Sequence, residues 1–69
     1  MKISNEEKRK NATEILDQIY ACKTGEDLER ADDILEESMM AGRIFKKAYK
    51  FLSDELDGQL AYLIDKGLI

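Results

Sequence analysis

Apolar residues recur at helical spacing along most of the chain, and they divide it into three segments. Ala12, Ile15, Leu16, Ile19 and Cys22 fall on one side of a helix, as do Leu28, Ala31, Ile34, Leu35, Ser38 and Met39 further on. In the last third, Phe45, Ala48, Tyr49, Leu52, Leu56, Leu60 and Leu63 recur at intervals of three and four. Ile44, Phe51 and Tyr62 form a second line beside that one. Together the two lines cover about half the helix circumference, more than the stripe of roughly 100° that a helix lying on one core needs. The excess predicts a surface for self-association or for a partner, with Ile44, Phe51 and Tyr62 as its anchors.

Local signals place the ends of these helices. Ser4 and Glu7 have the spacing of a capping box, so the first helix begins there. Lys23, Thr24 and Gly25 supply a base near a carboxyl end and a glycine able to take positive φ, which predicts a stop near Lys23. Thr24 also suits the cap of the second helix, whose first turn carries Glu26, Asp27 and Glu29 where the dipole favours negative charge. That helix reads through about Met40. Ala41-Gly42 is the expected break, with a helix continuous through Gly42 as the alternative. The third helix is expected from Arg43 to Lys66, either unbroken or kinked at Asp57-Gly58. Gly67 reads as its terminal cap, with Leu68 and Ile69 folding back as an apolar tail. The fold class that follows is all-α: a helical hairpin packed on a longer carboxyl-terminal helix, a three-helix bundle expected to dimerise.

Composition narrows the ways in which such a small bundle is held together. The 69 residues make a single small helical domain, and a chain of this size buries only about 60% of the surface its unfolded form exposes. One cysteine, Cys22, excludes an internal disulfide, and the absence of histidine removes the common zinc arrangements. Regular helix packing and oligomerisation remain. Proline and valine are absent, threonine occurs twice and 38% of residues are charged, a helical rather than a sheet composition. No apolar run approaches the roughly 20 residues that span a bilayer, and Met1-Lys2-Ile3-Ser4 is not a secretory signal, so a cytoplasmic location is expected.

The net charge of −4 argues against general nucleic-acid binding but hides a strong asymmetry. Between Glu26 and Glu37 seven acids face the single base Arg30, whereas between Ser38 and Ser53 there are four bases and no acid. Arg43, Lys46, Lys47 and Lys50 are expected on one face of the third helix, a candidate anion-binding surface. The acidic run in turn suits a basic protein surface.

The groups that catalysis needs are scarce. With no histidine to titrate near neutral pH, Cys22 lacks a partner and reads as a small buried hydrophobe. Asp32-Asp33 and Glu36-Glu37 are adjacent pairs whose side chains diverge by about 100° on a helix, without the glycine-bearing loop of a calcium site. The four glycines are isolated, so no phosphate-cradling loop is present. No enzyme activity, metal or cofactor is expected.

Leu16, Ile19, Cys22, Thr24 and Leu28-Glu29-Arg30 resemble the end of helix one and the start of helix two in the Hha/YmoA family. Phe45, Ala48 and Glu55-Leu56 can be laid along that family's third helix. These are small bacterial proteins that modulate gene silencing by binding a nucleoid-structuring protein, and the resemblance implies such a role. The family's Asp-His-Arg element is replaced here by Lys50-Phe51-Leu52, so the same partner does not carry over. The leading expectation is a protein-binding regulator or inhibitor that occupies a surface on a larger macromolecule, as small acidic proteins of phages and mobile elements often do. The alternative is a nucleic-acid-associated regulator, acting through the basic face or as an Hha/YmoA-like modulator of a DNA-binding protein.

Overall fold

In the computed structural model, which describes residues 3–69, the chain forms three helices: α1 (Asn5–Ala21), α2 (Gly25–Met40) and α3 (Lys46–Asp65). The Lys8 ammonium lies 5.0 Å from the centre of the Phe45 ring, and Gln59 reaches Cys22 at the other end. α1 and α3 therefore run parallel, with α2 antiparallel to both, in an elongated body of 43 × 16 × 15 Å.

Each helix contributes one buried stripe to a common core. Ile15 and Ile19 come from α1, Leu28, Ala31 and Leu35 from α2, and Leu52, Leu56 and Leu63 from α3. The two connections add one side chain each, Cys22 and Ile44. The spacing of these positions is the helical repeat that the chain's apolar pattern displays, which is why the fold is an all-α bundle.

The first junction differs from expectation. α1 ends at Ala21, Cys22 turns to extended backbone, and Gly25 is the first residue of α2 rather than a positive-φ stop for α1. The cause is the cap: Thr24 Oγ1 accepts the Asp27 N–H at 3.0 Å, while the Asp27 carboxylate accepts the Lys23 N–H at 3.1 Å. Both bonds start α2 at once, leaving no residue to prolong α1. At the amino end the serine half of the expected box is formed, Ser4 Oγ accepting the Glu7 N–H at 3.1 Å.

Gly42 does break the chain. Its φ of +71° closes α2 in a Schellman turn, in which the Arg43 N–H donates to the Ser38 carbonyl and the Gly42 N–H to the Met39 carbonyl. α3 then starts at Lys46 rather than Arg43, because Arg43, Ile44 and Phe45 are used to cross from one helix to the next. It continues unbroken past Gly58 and ends in a second Schellman turn at Gly67, where the Leu68 N–H donates to the Leu63 carbonyl at 2.9 Å. Leu60, expected on the inward line, lies half exposed at the rim of a groove between α2 and α3.

Candidate functional site: the outer surface of helix α3

The late start of α3 redistributes the residues expected to form its contact surface. Ile44 precedes the helix and is 4% exposed, a plug in the core beneath the α2–α3 connection. As an anchor for a partner it is withdrawn, because reaching it would require the connection to open. Phe51 and Tyr62 behave differently, at 51% and 52% exposure. They lie eleven residues apart, three helical turns along the same side of α3. The Lys66 ammonium stands 5.8 Å from the Tyr62 ring centre.

Tyr20 of α1, exposed to 53%, joins this aromatic surface, with Tyr62 and Leu68 beside it around a shallow groove. Loss of hydration, and then the neighbouring Glu55 carboxylate, raise the Tyr20 phenol above its ordinary pKa. From sequence, Tyr20 is one of three tyrosines that suit either a contact patch or the core boundary, since it follows the core residue Ile19 and its helix register alone does not reveal what flanks it. The useful signal is its place about 100° from Ile19, at the edge of the buried stripe.

The basic residues divide as well. Lys46, Lys47 and Lys50 are exposed on α3, whereas Arg43 sits in the connection with its carbonyl held by the Asn11 side-chain amide at 3.0 Å. Lys46 and Lys47 occupy the first turn of α3, which has no acid and no side-chain cap. A helix amino terminus carries positive partial charge, so two lysines there add to a positive potential at this end of the bundle, where Lys8, Arg9 and Lys10 of α1 also lie. Across the bundle, α2 exposes Glu26, Glu29, Asp32, Asp33, Glu36 and Glu37. Arg30 pairs with Glu26 at 3.5 Å, both side chains being largely exposed. The protein thus has an acidic side and a basic end.

Chemically reactive groups are placed for structure. Cys22 is buried, its thiol donating to the Gln18 carbonyl at 3.2 Å. Burial, and then the charge of Asp27, push that thiol above its usual pKa, the opposite of what activates a nucleophile. The Lys23 N–H leads the contacts that hold Asp27 below the ordinary carboxylate range. Among the described residues no group of three Cys, Asp or Glu side chains is placed to hold a metal ion. No helix among them is long and apolar enough to cross a membrane.

Comparison with protein families, with curated proteins and with solved structures finds no match to this chain. The likeness to the Hha/YmoA family therefore supports no assignment, and function rests on the surface just described.

Proposed function

We propose that this chain is a small, non-enzymatic, cytoplasmic protein-binding regulator or inhibitor, which works as a homodimer by occupying a surface on a larger macromolecule. The observation that supports this reading is the half-exposed aromatic set on α3. Phe51 and Tyr62 are half exposed on α3, and Tyr20 of α1 lies beside Tyr62. Aromatic side chains desolvated at the centre of an interface supply most of its binding energy, so this is where contact with another chain would gain most. A regulator of this kind, phage-encoded or otherwise, needs no catalytic group.

The test is affinity capture from the native host with the wild-type chain and with Phe51→Asp, each with and without nuclease. A stoichiometric protein retained by the wild type after nuclease and lost by the helical, folded variant would support the reading. Equal retention by both would overturn it.

A second reading places anion binding at the basic end. Its support is the pair Lys46 and Lys47 in the first turn of α3, with Lys50 one turn on and Arg43 nearby. Nucleic acid bound there would show a salt dependence that flattens when Lys46 and Lys47 are replaced by alanine. The exposed acids of α2 oppose that field, which makes this the weaker of the two readings.

A further inference from the structure

The side of α3 that points directly away from the core carries an ordered pattern of its own. Lys47, Phe51, Asp54, Gly58, Ala61 and Asp65 are all exposed and recur at intervals of 4, 3, 4, 3 and 4 residues. Residues at that spacing share one face of the helix, a seam on the side opposite the stripe of Leu52, Leu56 and Leu63, and here that face mixes charges of both signs with Phe51, Gly58 and Ala61. We infer that this seam binds the same seam of a second copy, antiparallel, across a twofold axis that passes the outer side of the helix at the level of Leu56. This rests on the reading of the outer face of α3 as a contact surface and adds its occupant and geometry.

Three features commit the seam to a second copy in that direction. The first is charge. A twofold axis makes contacts reciprocal, so that if one residue meets another on the partner, the converse contact also forms. With the axis at the level of Leu56, Lys47 faces the second copy's Asp65, and Asp65 faces its Lys47. A parallel pair would set Lys47 against Lys47 and Asp65 against Asp65. The second feature is the helix dipole. α3 has lysines in its first turn and no acid there, the unfavourable sign at its amino end, and at its carboxyl end Asp65 stands beside the capping Lys66. An antiparallel copy brings an opposite charge and an opposite dipole end to each terminus.

The third feature is shape. The same register sets Phe51 against the second copy's Ala61, and Asp54 against its Gly58, a large residue opposite a small one at each level. Gly58 is otherwise costly, lying inside an exposed helix with nothing within 4 Å of where its Cβ would be. Packing within the monomer thus gives no reason for a glycine there, and a helix approaching at that level does. The two Asp54 carboxylates come near the axis, each with Lys50 four residues before it on the same helix, and their mutual repulsion limits affinity. Two helices of this length bury an area near the lower limit of about 1,000 Å² for specific association, so the dimer is weak and reversible.

Sedimentation equilibrium from about 1 µM to about 1 mM tests this, with circular dichroism confirming that each variant is folded. The wild type is expected to dimerise, and Lys47→Asp or Asp65→Lys alone to raise the dissociation constant about tenfold. The double variant Lys47→Asp/Asp65→Lys should return to within about threefold of the wild type, since the reciprocal pairs are restored with reversed sign. Gly58→Glu should weaken the dimer, and Asp54→Ala should strengthen it. A wild type that stays monomeric throughout, or single reversals without effect, or a double variant that does not recover, overturns the antiparallel pairing. Loss of dimer on Phe51→Asp beside unaffected charge reversals would overturn this register while leaving the outer face of α3 as the contact surface. A monomer that still captures a host protein through Phe51 would likewise separate the two.

Discussion

The side-chain amide of Gln59 donates to the backbone carbonyl of Cys22 at 3.0 Å, tying α3 to the α1–α2 connection across 37 residues of sequence. Asn11 of α1 makes the counterpart bond to the carbonyl of Arg43, in the α2–α3 connection. Each connection is thus clasped by the helix that it does not join. Next to each clasped carbonyl a connection side chain enters the core, Cys22 itself at one end and Ile44 at the other.

If the clasps matter, their loss should show in stability without loss of fold. Gln59→Ala is expected to lower the unfolding free energy by about 1 kcal/mol, the usual net worth of such a bond. Asn11→Ala should cost less, because its bond is exposed to water. Urea titration with an unchanged m-value checks both, and a cost below about 0.3 kcal/mol for Gln59→Ala would show the clasp to be dispensable.

Two glycines should respond to alanine with opposite signs. Gly42 has φ of +71°, so Gly42→Ala forces an alanine into the left-handed region and should destabilise by about 1 kcal/mol. Gly58 is helical with open space around it, so Gly58→Ala should stabilise the monomer by about 0.5–1 kcal/mol. Thermal unfolding at a concentration low enough to avoid self-association reads both changes.

Ile44 and Phe51 separate core from surface. Ile44→Ala removes a buried side chain and should cost about 2–4 kcal/mol, while Phe51→Ala should leave monomer stability within about 0.5 kcal/mol. Chemical denaturation of the dilute protein distinguishes them; equal costs would mean that Phe51 packs within its own chain.

The pH dependence has two edges. The Cys22 thiol and the Tyr20 phenol have raised pKa values in the folded chain, so the stability they confer is complete below their unfolded pKa values and is lost as pH rises through the folded ones. The thiol should lose its share above about pH 8.5. Asp27 has a lowered pKa, so its contribution is present above about pH 3.9 and is lost as pH falls through the folded value. Asp27→Asn should weaken the acid edge, and Cys22→Ser the alkaline edge, each measured as the pH dependence of the urea midpoint relative to wild type. Modification of the Cys22 thiol in native protein should follow the rate of opening, since the group is buried.

Much of the fold was legible because it depends on local chemistry. Thr24 and Ser4 cap helices since their oxygens lie three residues before a free N–H, and Gly42 and Gly67 end them because glycine alone enters the left-handed region without penalty. The candidate surface was legible in part. Phe51 and Tyr62 stand outside the main apolar line in sequence and outside the core in space. Ile44 matched their periodicity yet lies in the core, because periodicity assumes a continuous helix and the chain leaves the helix at Gly42.

What the amino-acid sequence determined by itself is therefore the number of helices, the caps at Ser4, Thr24, Gly42 and Gly67, and most of the stripe that each helix turns inward, all set by interactions within a few residues. Only the tertiary structure decided that Ile44 and Cys22 enter the core from the connections, that Gln59 and Asn11 clasp those connections, and that Tyr20 joins the aromatics of α3. Those arrangements link positions more than thirty residues apart, as the Gln59–Cys22 and Asn11–Arg43 bonds do. Their partners are chosen by the packing of whole helices, a property that no local spacing encodes.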